Sequence, residues 1–302
     1  MLIEQIIVQG AISGGVYALL ALGFTLVYGV SNVVNLAHGS YYMLAAYMFF
    51  ILGTFGFFGS DPMIASILGL IVAAILVGAV GGITYRLAIH PVIGDEIAVL
   101  VVTVSLAVVF QQLMLLVFGV SFPRVSWPKG SFLLESVSIF GISVEYSLIL
   151  AFVVSLVLFA GLMIFILRTK TGKAMRAVSQ DREVAMLMGI NTKRLYMITM
   201  VISAMLAALA GIFITTSIEK STGSWLWFRP LTLSFSIVIL GGLGSIKGSL
   251  VGSFIVSFAE KTVSVIVPEG GAIVGVVPLA VIIAVLLVRP KGLFGKRIEM
   301  EE

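Results

Sequence analysis

The sequence predicts an all-α polytopic membrane protein with about eight to nine transmembrane helices, some of them broken or re-entrant. Three observations predict it. Of the 302 residues, 60% are hydrophobic and only 11% are charged, whereas a soluble domain carries about 25% charged residues. The mean hydropathy is +1.19. Finally, the apolar residues fall in long continuous stretches that do not alternate, which selects helices over barrel strands. No soluble domain of this size could hide that much apolar surface. The composition therefore excludes a soluble enzyme, a nucleic-acid module and a disordered chain. Cysteine is absent, which excludes a disulfide scaffold and thiol chemistry. The net charge of +4 carries no nucleic-acid signal, because in a membrane protein the placement of positive charge matters more than its sum.

Crossing the hydrocarbon takes about 20 apolar residues. The candidate spans are Ile6 to Tyr28, Tyr41 to Phe58, Met63 to Tyr85, Ile97 to Phe118, Tyr146 to Leu167, Leu195 to Thr216, residues 231 to 246, Ser249 to Val267 and Ala272 to Val288. The seventh is short and broken by glycine; it and the second are the two that could be re-entrant. The first is no cleavable signal, since it lacks a basic leader and runs too long.

Arg168, Lys170, Lys173, Arg176, Arg182, Lys193 and Arg194 crowd one loop. Arg289, Lys291, Lys296 and Arg297 crowd the tail. Positive charge stays inside, so both are expected in the cytoplasm, with the N-terminus outside. Nine passes then put 13 of the 18 basic residues inside, Arg86 and Lys247 among them. The outer stretches carry Pro123, Trp127 and Pro128, and Trp225, Trp227 and Pro230. These tryptophans read as interfacial anchors, with a docking surface outside the membrane as the alternative.

Polar residues interrupt the apolar pattern in several places. The stretch SNVVNLAHGS, Ser31 to Ser40, holds Asn32, Asn35 and His38 and lacks the basic residues an inside loop attracts. Polar groups at membrane depth face a bundle interior or a water path, and broken helices can expose backbone for a ligand. An ordinary loop is the other reading, and the two weigh evenly. Gln111 and Gln112 lie inside the fourth span and join these residues as candidates for a substrate path. Changing Asn35 or His38 to Leu is then expected to alter transport without disturbing assembly. Glu260 and Lys261, adjacent in the eighth span, do not share a helix face and read as snorkelling to the outer surface. No span carries the several buried acids of an ion-coupled carrier. In ILGGLGSIKGSLVGS, Ile239 to Ser253, Gly244, Gly248 and Gly252 recur every fourth residue, after Gly241 and Gly242. Such spacing lets helices approach closely, and the glycine density predicts a bend near Lys247 that could serve as packing or as a hinge.

The basic loop is patterned. Thr171 is placed to cap a helix from Gly172 to Val178, with Ala174, Ala177 and Val178 on one face and Lys173 and Arg176 elsewhere. Asp181 is placed to cap a second helix with Glu183 in its first turn. Gly189 is a natural stop. Two short helices joined by Ser179 and Gln180 are expected, with Met186, Leu187 and Met188 as an apolar face.

Glu183, Val184, Ala185 and Gly189 match the spacing of the EAA loop of ABC importer permeases, Glu-Ala-Ala, three residues, then Gly; Val184 departs from it. RTKTGKAMRAVSQDREVAMLMGI resembles the cytoplasmic loop of branched-chain amino acid ABC permeases. GGVYALLALGFTLVYGVSNVVNLAHGS resembles the start of that family, and ILGGLGSIKGSLVGS its glycine-rich segment. The blocks run from residue 14 to residue 253, and the shorter of the two permease types is the better match. The resemblance implies one transmembrane permease domain over residues 1–302, in a prokaryotic cell membrane, with a loop at 168–194 coupling to ATPases through Gly172, Arg176, Asp181, Glu183, Ala185 and Gly189. It implies a second related permease, two ATP-binding subunits and an extracytoplasmic solute-binding protein, with branched-chain amino acids as cargo. ATP and magnesium would sit on the partners. This chain has no Gly-x4-Gly-Lys-Ser/Thr, its only histidines are His38 and His90, and neither a catalytic residue, a metal site nor a cofactor is expected on it. Relatives of similar appearance move urea, amides or aromatic acids. A channel or ion-coupled carrier remains the alternative, and would need no ATPase.

Overall fold

The computed structural model describes residues 2–56, 61–119, 125–218, 226–267, 273–289 and 292–295. Phe58 and Ala272, at the ends of two expected spans, lie outside the described residues, as do Pro123, Trp225, Lys291, Lys296 and Arg297. The protein is a helical bundle. In chain order it has α1 (Leu2–Ser31), α2 (His38–Thr54), α3 (Pro62–Thr84), α4 (Glu96–Phe118), β1 (Ser136–Ile139), β2 (Ile142–Glu145), α5 (Tyr146–Arg168), α6 (Lys170–Gln180), α7 (Arg182–Leu187), α8 (Thr192–Phe213), α9 (Phe228–Gly241), α10 (Ile246–Ile266) and α11 (Val277–Val288). Each expected span corresponds to a helix. Among the described residues, six helices are long and apolar enough to cross a membrane.

In a membrane an all-round apolar helix can face lipid as well as protein, so burial and not hydropathy identifies the central helix. For α1, 94% of the apolar window is buried, against 22% for α4 and for α5. So α1 is the axis, while α4 and α5 present apolar faces outward. Packed about α1 are α10, α8, α5 and α9. Small residues permit this: a side chain on Gly14 would strike the ring of Phe254, and one on Gly15 the ring of Phe152. The Ser257 hydroxyl donates to the carbonyl of Gly10 at 2.8 Å, tying α10 to α1.

Asp61 and Asp95 accept from the first-turn amides of α3 and α4, at 2.9 Å to Met63 and to Ile97, so the acids serve as caps. The helix of α3 continues through a π turn at Tyr85–Ile89, and α8 through one at Ile214–Ile218. Between α4 and α5, β1 and β2 form a hairpin that the sequence reading did not anticipate. Its turn, Phe140–Gly141, has positive φ at both residues, 50° and 77°, the geometry of a two-residue hairpin turn.

Trp127 and Trp227, expected as interfacial anchors, are buried instead. Trp127 is buried between Phe49 and Phe213, and its indole N–H donates to Ser217 Oγ at 3.4 Å. Trp227 is also buried and donates to Gln111 Oε1. They pin loops to the bundle, because a buried indole N–H must find an acceptor, and here protein supplies it.

Candidate functional site

Three places concentrate polar chemistry. The first is the break between α1 and α2. Asn32 ends α1 in the left-handed region, φ +52°, which Asn tolerates. Asn35 turns the chain back: its Oδ1 accepts from the Ala37 amide at 3.1 Å and its Nδ2 meets Met200 Sδ at 3.2 Å. The Leu36 amide donates to Thr103 Oγ1 at 3.2 Å. His38, fully buried, opens α2. Its Nε2 donates to the Leu20 carbonyl at 2.9 Å. That carbonyl can only accept, so Nδ1 carries no proton and accepts from Ser203 Oγ at 3.2 Å. Asn35 and His38 therefore lie inside the wall formed by α1, α2 and α8. Asn32 is exposed, on a groove with Ser179, Gln180, Arg182 and Glu96.

Gln111 and Gln112 part company: Gln111 is buried and holds Trp227 at the head of α9, while Gln112 points out of the bundle. The structure thus brings Asn35 and His38 together, puts Gln111 at the other end, and leaves Gln112 with neither.

The second place is the basic loop. Thr169, not Thr171, caps α6: its Oγ1 accepts from the Gly172 amide at 3.0 Å. The helix starts earlier because Thr169 is the last extended residue after α5, and an N-cap must be extended. A Cβ on Gly172 would collide with the Phe165 and Ile166 carbonyls, so this glycine lets α6 turn tightly under α5. Ser179 and Gln180 belong to α6, and Asp181 alone joins it to α7. Asp181 Oδ1 accepts from the Val184 amide at 2.9 Å, as expected of a cap. After α7, Gly189 adopts φ +81°. Its amide donates to Met186 O and that of Ile190 to Ala185 O, at 3.0 Å and 3.1 Å. This is a Schellman stop, which needs the left-handed residue. Ala185 is buried against the bundle. Val184, Leu187 and Met188 are 54%, 86% and 78% exposed, and Glu183 is exposed beside them. Arg176 reaches back to the Leu167 carbonyl at 3.4 Å.

The third place is the turn between α9 and α10, with Gly242 at φ +98° and Gly244 at φ +79°. The bend precedes Lys247, which lies in the first turn of α10. Gly241 and Gly248 pack backbone against backbone, and a Cβ on Gly252 would meet the Ile237 carbonyl at 2.8 Å. Of the every-fourth-residue set, only Gly248 and Gly252 are on the helix; Gly244 is in the turn, against Gly29. The Leu293 and Phe294 amides donate to the Leu240 and Gly241 carbonyls at 2.9 Å and 3.0 Å, so the C-terminal segment caps α9.

The sequence reading missed the role of Glu260. Its carboxylate does not snorkel. It is 2% exposed, accepts from Tyr17 OH at 2.7 Å, and faces Arg229 Nη2 at 3.6 Å. Arg229 lies 31 residues away, so no local pattern pairs them; an acid in an apolar span was the available signal.

A bundle of apolar helices around a buried axis, with a broken first hairpin and a structured basic loop, defines the class: a multi-pass α-helical membrane protein. The branched-chain amino acid transport system permease component family matches residues 6–286, and the chain belongs to that family. It is 31% identical to the high-affinity branched-chain amino acid transport system permease protein BraD of Pseudomonas aeruginosa, over 97% of this chain and 95% of that one. It is 30% identical to LivH of Escherichia coli K12, of the same description, over 95% and 94%. It is also 30% identical to the probable branched-chain amino acid transport permease protein LivH of Methanocaldococcus jannaschii, over 97% and 93%. The solved structure of PsaBC from Streptococcus pneumoniae in complex with Fab shares the fold, with a TM-score of 0.50 and 14% identity over 95% of this chain and 92% of that one.

Proposed function

We propose that this chain is the permease subunit of an ATP-driven importer of branched-chain amino acids. It pairs with a second, related permease and with two ATP-binding subunits, and receives its cargo from an extracytoplasmic solute-binding protein. ATP and magnesium are bound by the partners. Residues 168–194 face the cytoplasm with the C-terminus, and the N-terminus lies outside.

One observation carries the coupling role: α7 is held rigidly at both ends yet presents Val184, Leu187 and Met188 to the exterior. Exposed apolar groups on a short, doubly capped element suit insertion into a cleft of another protein. A positive-inside anchor needs neither the caps nor the apolar face. Closure of the ATPases would move α7 with α6, and α6 packs on α5 and α1, so the motion reaches the axis of the bundle.

The test is purification of the chain from its native membrane in mild detergent. An ATP-binding subunit and a second permease at matching stoichiometry, and leucine uptake by the reconstituted complex, are the expected result. A chain that purifies alone and transports without ATP would replace the reading with a channel or carrier. Uptake of urea or amides in place of leucine would move it to another cargo.

A further inference from the structure

We infer that the groove where α6 and α7 meet the ends of α1, α4 and α8 is a binding site for a free α-amino acid, and that an occupant there restrains the coupling loop. This rests on the importer reading above and adds a second site for its cargo, on the side proposed to be cytoplasmic.

The fold gathers polar groups that the sequence keeps apart. Asn32 follows α1, Glu96 opens α4, Gln180 closes α6 and Arg182 opens α7. All four line one groove of about 250 Å³, with Tyr196 of α8 in its wall. Pockets for drug-sized molecules run from about 300 Å³ upward, so this one suits a smaller solute. The four side chains are exposed, and among the described residues none has a hydrogen-bond or ion-pair partner. Arg182 does lie over the Tyr196 ring, its Cζ 5.8 Å from the centroid. A ring face attracts the charge but is no strong acceptor, so the N–H donors of the guanidinium stay open to an anion.

The groove also leads to an unsatisfied group. A chamber of about 10 Å³ shares Ser31, Val33, Ile93 and Tyr196 with it and is walled by Tyr85 as well. Tyr85 is 3% exposed, and its hydroxyl has no hydrogen-bond partner among the described residues. Leaving a buried hydroxyl so costs about 1–3 kcal/mol. The chamber has room for about one water, and one bridging water joins that hydroxyl to an occupant of the groove.

The chemistry selects the ligand. Arg182 supplies the positive charge of the lining and Glu96 the negative one. A solute with a single charge leaves one of them unmatched. A zwitterion matches both: the planar fork of Arg182 takes a carboxylate, and Glu96 accepts from an ammonium, which brings three donors. The amides of Asn32 and Gln180 add donors and acceptors, and Val30, Ile93 and Val178 offer apolar wall to a hydrocarbon side chain. Position gives the occupant an effect. One wall is α6 and α7, proposed to move with the ATPases; the other is α1, α4 and α8. A ligand touching both favours one arrangement of them, by its difference in affinity between the two. Cargo accumulating on this side therefore slows further import.

The test uses the whole importer in proteoliposomes, with its binding protein outside and ATP within. Millimolar L-leucine in the lumen is expected to lower ATP hydrolysis by about fivefold or more. Isovalerate and isoamylamine, which each lack one charge, are expected to leave it unchanged. Glu96→Gln and Arg182→Gln should each abolish the response to leucine. Glu96 lies outside the docking element, so its variant decides the matter if Arg182→Gln disturbs assembly. Inhibition of undiminished strength in Glu96→Gln overturns the site. The absence of cysteine supplies a second measurement that does not depend on turnover. In the detergent-solubilised complex without binding protein, Gln180→Cys is expected to react with maleimide more slowly in L-leucine than in isovalerate or isoamylamine. Equal labelling in all three overturns the inference. If the wild-type complex imports leucine and these results fail, only this inference falls; if it imports no amino acid, the importer reading falls with it.

Discussion

His38, at the start of α2, donates its Nε2 proton to the main-chain carbonyl of Leu20, 2.9 Å away in the middle of α1. With Ser203 on its other nitrogen, the ring bolts α2 and α8 to the axis helix. Seen in sequence, His38 reads as a path residue; seen buried, it is a three-helix joint.

His38→Leu therefore removes two buried hydrogen bonds and strands the Ser203 hydroxyl. A loss of about 2–4 kcal/mol is expected. Thermal unfolding of the detergent-solubilised protein should show a lower Tm, and any fall in transport should track the folded fraction. A transport defect with unchanged Tm would restore His38 to the path.

Gly189 stops α7 at φ +81°. Gly189→Val forces a β-branched residue into the left-handed region, at a cost of about 1–3 kcal/mol. The Schellman bonds should open and Leu187 and Met188 swing away. Membrane insertion should persist while co-purification of the ATP-binding subunit falls. Normal uptake in this variant would remove the proposed role of the stop.

Leu187→Asp touches little of this chain, since the residue is 86% exposed. Its effect on stability should stay within about 0.5 kcal/mol. Pull-down of the ATP-binding subunit should nevertheless drop strongly, because a charge enters an apolar contact. Unchanged binding would show that α7 docks elsewhere.

Gly248→Val tests the α9–α10 contact. The new side chain would meet the Gly241 carbonyl, and the helices would have to part. Overpacking at such a crossing costs about 1–3 kcal/mol or more. Size-exclusion chromatography should show aggregation or loss of yield. A well-behaved, active variant would favour a movable hinge over tight packing.

Much of this was legible in one dimension. Hydropathy located the six described helices that are long enough to span, because the need for about 20 apolar residues is a property of the bilayer and not of the fold. Asp181 and Gly189 were readable because a cap and a stop are satisfied within a few residues of themselves. Blocks of sequence from residue 14 to residue 253 carried the family resemblance. Misreadings fell where the partner is remote. Thr171 and Thr169 are both plausible caps until the end of α5 is known. Trp127 and Trp227 read as interfacial until Ser217 and Gln111 arrive from 90 and 116 residues away. Whether Gln111 or Gln112 faces inward depends on rotation of α4, which its nearly uniform apolar surface does not encode. Glu260 was visible as an anomaly, but Tyr17 and Arg229 became its neighbours only when α1, α9 and α10 packed. Sequence alone determines what must leave water and which local bonds can close. Tertiary packing decides which buried polar groups meet, since a buried charge takes its partner from whatever helix lies beside it.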